Sequence, residues 1–142
     1  MPRAVLDSSV LVSAFITPNG RLSELLRQPL RGRYQLFLSE EIIAETAATL
    51  LTKQSVRSYA EYADEDVRAY LGWLLRGARL VADLPDIRVV PDDPDDDMVV
   101  ATALAAEAEY LVTGDRHLLS LGSYRGVAML KPARFLELLD AG

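Results

Sequence analysis

The sequence predicts an α/β fold, an open and mostly parallel sheet covered by helices on both faces. Two observations carry this. Short apolar runs that read as buried strands alternate along the chain with segments of helical period. The 142 residues, half of them hydrophobic and a quarter charged, suit a single folded domain spanning residues 1–142.

The elements follow in order. Arg3–Leu6 is short and apolar and stops at Asp7, a buried first strand. Ser8 is placed to cap a helix running to about Ala14, and Thr17-Pro18-Asn19-Gly20 is a turn. Arg21–Leu30 reads as helix and Tyr34–Leu38 as the second strand. Ser39 opens the next helix, with Glu40 and Glu41 favourable against its dipole. Asp64–Leu80 carries Val67, Tyr70, Leu71, Leu74, Leu75 and Ala78 as one apolar stripe at helical spacing. Trp73 falls off that stripe, which points to exposure; a singly exposed aromatic is its ordinary reading and a partner or dimer surface the other. Ile87–Val90 reads as a short strand. A helix opens on Asp95, Asp96 and Asp97 and runs to about Glu107, apolar on nearly all sides and therefore deeply packed. Tyr110–Thr113 and Val127–Leu130 are further buried strands, with helices at Arg116–Leu121 and Ala133–Leu139, the latter after a well-placed Pro132.

Composition removes several kinds of chemistry. With no cysteine, disulfides, zinc–thiolate sites and thiol catalysis are excluded. The start MPRAVLDSSVLV does not read as a signal peptide, no stretch approaches a membrane span, and a cytoplasmic location is the expectation. A net charge of −6 lowers the expectation of nucleic-acid binding. Seven of the acids fall between Asp83 and Asp97, however, and bound divalent cations would cancel much of that local excess.

Four acidic signatures are spread along the chain: Asp7 in VLDSSVLV, Glu45 in SEEIIAETAATL, Asp96 in DPDDDMVVATAL and Asp115 in LVTGDRHLL. In an open parallel sheet, ligands gather outside the carboxyl ends of the strands. Asp7 follows the first strand and Asp115 follows the Tyr110–Thr113 strand, so neighbouring strands would project both over one edge. Convergent carboxylates with one His and no Cys suit Mg²⁺ or Mn²⁺, which take hard oxygen ligands, better than zinc. Each acid also has an ordinary reading, as a turn or cap residue for Asp7, Asp96 and Asp115 and as a solvated helix residue for Glu45. His117 reads as a surface histidine. Ser8 and Ser9 have no base placed to activate them. The basic residues Arg3, Arg21, Arg31, Arg33, Lys53, Arg57 and Arg116 are scattered.

Taken together, VLDSSVLVSAF, SEEIIAETAATL, DPDDDMVVATALAAEAEYLVTGDRHLL and VAMLKPARFLELL resemble the PIN-domain family, and within it the toxin-like branch of VapC-type ribonucleases. The resemblance implies a three-layer α/β/α sandwich and a Mg²⁺- or Mn²⁺-dependent endoribonuclease whose acids fall on Asp7, Glu45, Asp96 and Asp115. Asp97 stands as an alternative or additional ligand to Asp96, and Asp93 as an assisting one. The family often has Asn two positions after its first acid. Here Ser9 stands there and still offers a hydrogen bond, while Thr113 is placed to orient a ligand or water. The resemblance further implies an RNA substrate, a cognate antitoxin, a homodimer and no membrane. Two other classes remain: a catalytically silent PIN-like binding module, and an aspartyl-phosphate-forming phosphatase or receiver domain built on Asp7. Ser9 counts against the phosphatase, and the lack of an acid pair before Asp7 counts against the receiver.

Overall fold

The computed structural model describes residues 1–91 and 93–141. Their strands form one sheet in the order β3-β2-β1-β4-β6-β5. These are β1 (Arg3–Leu6), β2 (Gln35–Ser39), β3 (Ala78–Val81), β4 (Tyr110–Val112), β5 (Ser123–Tyr124) and β6 (Val127–Leu130). All pairings are parallel except β5 with β6. The helices are α1 (Ser8–Ile16), α2 (Arg21–Arg27), α3 (Glu40–Thr52), α4 (Gln54–Tyr59), α5 (Asp64–Gly77), α6 (Pro94–Ala105), α7 (Arg116–Leu121) and α8 (Pro132–Ala141).

The two faces of the sheet are covered by different helices, which makes three layers. On one face Arg3 lies over the Phe37 ring and donates to the Ala106 carbonyl at 2.6 Å, and Ser39 pairs with Thr102 at 2.9 Å. Successive side chains of a strand alternate between faces, so this is the α6 side. On the other face Leu36 meets Leu26 of α2 and Trp73 and Leu74 of α5, and Tyr110 packs on Phe135 of α8 at 5.5 Å between ring centroids. Ala4, Val5 and Leu6 are wholly buried between the layers, as a central parallel strand should be.

Several boundaries differ from the sequence expectation. Asp7, not Ser8, caps α1 by accepting the Val10 N–H at 3.1 Å, and the helix continues to Ile16. The second helix stops at Arg27 and tightens into a 3-10 turn at Gln28–Arg31, because Pro29 cannot continue the α-helical ladder. Helix α5 ends at Gly77, and Ala78–Val81 turns into an edge strand on β2. The stretch Ile87–Val90 is not a strand. The Val89 and Val90 N–H groups donate instead to Asp97 Oδ1 at 2.7 and 2.8 Å, which satisfies them without a ladder. Helix α6 starts at Pro94 with Asp93 as its cap and ends before Glu107, whose φ of 52° is left-handed. The β5–β6 hairpin turns through Arg125 and Gly126, both at positive φ (48° and 87°), as a two-residue type I′ loop requires. Helix α4 and strand β5 were not anticipated.

Candidate metal centre at the carboxyl edge of the sheet

Strand β1 has β2 on one side and β4 on the other. The order therefore reverses between β1 and β4, and a crevice opens at their carboxyl ends. Leu6 lies opposite Val112, and the Asp7 N–H continues the pairing to the Val112 carbonyl at 3.1 Å. The chain leaves β1 into α1 and β4 into α7, and each helix begins with an Asp cap facing the crevice. Asp115 caps α7 by accepting the His117 and Leu118 N–H groups at 2.7 and 3.3 Å. Helix α6 contributes Asp93 and Asp96 from its first turn.

Asp93, Asp96 and Asp115 each place a carboxylate oxygen within 4.8 Å of the other two. Asp96 is 8% exposed, and its Oδ2 is buried without a hydrogen-bond partner. An ionised carboxylate in that setting is costly unless something positive meets it. Burial is accordingly the main cause that pushes the Asp96 pKa up to about 7. A hydrogen bond with Asp93 that favours the protonated form, and repulsion from Asp115, Asp93 and Asp7, add to it. Asp7 is also raised, first by burial and slightly by Asp115, against hydrogen bonds from Ser9, Thr113 and the Val10 N–H.

A small polar scaffold holds these acids. Ser9 Oγ donates to Asp7 Oδ1 at 2.5 Å, and Thr113 Oγ1 donates to Asp7 Oδ2. The same Thr113 oxygen accepts the Asp115 N–H at 3.0 Å, so one fully buried hydroxyl sets two acids. Glu45 on α3 reaches the site through Ser8, whose Oγ donates to Glu45 Oε1 at 2.6 Å.

A family model described as the PIN domain matches residues 3–117, from β1 into α7. The chain belongs to the PIN domain family. No curated protein matches it. PIN domains are typically nucleases, and the match covers every acid described above.

In this PIN domain the structure brings Asp93, Asp96 and Asp115 together, while Asp7 and Glu45 lie outside that triad. Asp7 is tied to it through Thr113, and Glu45 through the first turn of α1. Asp97 is turned to the 89–90 backbone, so of the two neighbours it is Asp96 that joins the triad. Sequence reasoning had Asp93 only as an assisting acid, and read Ser8 as a helix cap and as a serine with no base to activate it. The D-x-x-D spacing across a helix start carried a signal for Asp93. Ser8 meets Glu45 through α1–α3 packing, for which no local pattern exists. His117 is exposed as expected. Trp73 is not exposed as expected: it is half-buried, stacked on Tyr70 at 6.4 Å and packed against the core, because α5 also covers β2 and α2.

The donor set fits a hard divalent cation. PIN domains generally use divalent metals, the triad offers only carboxylate oxygen, and the partnerless Asp96 oxygen is an atom that a cation would satisfy.

Proposed function

We propose that this PIN domain is a Mg²⁺- or Mn²⁺-dependent endoribonuclease, the toxin component of a type II toxin–antitoxin pair. The observation that carries the catalytic reading is the convergence of Asp93, Asp96 and Asp115 around the buried, partnerless Asp96 Oδ2 at the switch point of the sheet. Asp96, Asp115 and Asp93 would hold the ion, with Asp7 and Glu45 completing the wall toward the substrate. A divalent ion bound there supplies Lewis acidity toward a phosphate oxygen and lowers the pKa of a water.

The chain's own residues prepare that chemistry. Thr113 and Ser9 occupy both oxygens of Asp7, which fixes its carboxylate and favours its charged form against burial. Ser8 holds Glu45 at one oxygen and leaves the other to orient a water or a ligand. Hydrolysis by an attacking water, with the bond from phosphorus to the 3′ oxygen breaking and that oxygen taking up a proton, would leave a 5′ phosphate and a 3′ hydroxyl. The toxin role, the antitoxin partner and the homodimer rest on the resemblance of the motifs, and a cytoplasmic location on the sequence reading of its start and its apolar stretches. No helix among the described residues is long and apolar enough to cross a membrane.

Cleavage of a labelled single-stranded RNA pool with Mn²⁺ or Mg²⁺ tests the catalytic reading. The wild type should cut, EDTA should stop it, and Asp7→Asn and Asp96→Asn should abolish it while leaving the circular dichroism spectrum unchanged. Full activity in either variant would refute the assignment. Calorimetry that detects no Mn²⁺ binding would favour the silent module, and a co-purifying small DNA-binding protein would support the toxin role.

A further inference from the structure

A groove of about 850 Å³ opens beside the triad, between the irregular segment 84–91, the start of α6 and the first turn of α3. Asp97 holds its shape by binding the Val89 and Val90 N–H groups, so the wall is a built feature. Asp93 belongs both to this groove and to the triad, so the groove runs directly into the candidate metal centre. Its volume lies in the range of small-molecule sites.

The walls are mostly apolar and acidic, with a single cation among the described residues, the exposed Arg88. Leu84, Ile87 and Met98 offer apolar surface, while Glu41 and Asp86 offer acceptors. Both carboxylates are exposed, and neither takes part in a salt bridge among the described residues. Glu41, Asp86, Asp93 and Asp97 outnumber Arg88 along the groove, so on balance it disfavours a phosphate, and a nucleotide would enter by its base with its backbone left at the metal end. A base bound by carboxylates must present N–H donors. Guanine presents N1–H and the N2 amino group side by side, a match for both oxygens of one carboxylate. Uracil has one N–H flanked by two carbonyls, so it offers a carboxylate no paired donor edge, and even with Arg88 meeting one carbonyl the other would face an acid.

Resting on the nuclease reading above, we infer that this groove is a nucleobase subsite that selects guanine over uracil at a nucleotide adjoining the reacting phosphate. Glu41 and Asp86 are its specificity-determining residues.

The test is calorimetry of the Mg²⁺-loaded protein with guanosine 3′,5′-bisphosphate and uridine 3′,5′-bisphosphate. These probes carry a phosphate on each side of the base-bearing sugar, so strand polarity does not enter. The wild type should bind the guanosine probe about tenfold more tightly or better, the discrimination one bidentate pair provides. In the Glu41→Ala/Asp86→Ala variant the ratio should fall to about twofold or less, with Mg²⁺ affinity retained. Equal binding of both probes by the Mg²⁺-loaded wild type overturns the base subsite and leaves the metal centre standing. Failure to bind Mg²⁺ at all overturns the nuclease reading beneath it. An arginine hexapeptide that binds the wild type, fails to bind the variant and finds neither nucleotide as a competitor overturns the subsite in favour of a basic protein segment.

Discussion

Replacing Asp96 with Asn should stabilise the metal-free protein while removing its metal binding. The triad oxygens lie within 4.8 Å of one another, and at that outer separation two charges repel by about 3.5 kcal/mol at an effective dielectric of about 20; Asp96 faces two such partners. Asp93 and Asp115 are only half-buried, so water screens much of this, and a net gain of about 1–3 kcal/mol is expected. The partnerless Oδ2 would become an amide or carbonyl group able to meet its acidic neighbours without a charge. The gain should depend on pH. Because the folded-state pKa of Asp96 is raised from 3.8 to about 7, the folded protein keeps a proton that the unfolded chain releases between those values. Wild-type stability from this group is therefore fully present below about pH 4 and lost as pH rises toward 7. The advantage of Asp96→Asn should appear across that window and level off above it. Urea denaturation in EDTA at pH 4.5 and pH 8, then with Mn²⁺ at pH 8, reads all of this. At 100 times its dissociation constant, Mn²⁺ should stabilise the wild type by about 2.7 kcal/mol and the variant hardly at all. A variant less stable than wild type in EDTA at pH 8, or equally stabilised by Mn²⁺, would refute the reasoning.

Three other substitutions separate the roles of neighbouring residues. Thr113→Val should cost about 1–3 kcal/mol and weaken Mn²⁺ binding at least about tenfold, since it frees Asp7 Oδ2 and the Asp115 N–H together; Thr113→Ser should restore most of both, by denaturation and calorimetry. Asp97→Ala should cost about 1.5–3 kcal/mol by leaving the Val89 and Val90 N–H groups unpaired, with faster hydrogen exchange at those amides and unchanged Mn²⁺ affinity. Ser8→Ala should lower the cleavage rate more than it lowers stability, because it releases Glu45 without touching the triad; equal rates for Ser8→Ala and wild type would remove Glu45 from the mechanism.

The strand-forming segments before Asp7 and Asp115 were legible because buried parallel strands are short continuous apolar runs; the first runs directly into Asp7 and the other reaches Asp115 after a short turn. That they are neighbours is a property of topology, and only the β1–β4 pairing shows it. Helix α5 was overextended because Ala78 continues the apolar period, and only pairing with β2 reveals the edge strand. Ile87–Val90 has strand composition, yet a carboxylate eight positions on captures its backbone, a tertiary event that periodicity does not register. Asp96 and Asp97 could not be separated by composition; the rotation of α6 decides which faces the crevice and which faces the loop. Trp73 was misplaced because the stripe on α5 serves two neighbours at once, the sheet and α2.

The most direct test of the metal centre is anomalous scattering from crystals soaked in millimolar MnCl₂ near neutral pH. A single strong peak, or a close pair, should stand among Asp93, Asp96 and Asp115, with carboxylate oxygens at about 2.0–2.3 Å and the Asp96 Oδ2 among its ligands. Crystals that diffract well, with the crevice open to solvent and no anomalous peak among these acids, would contradict it.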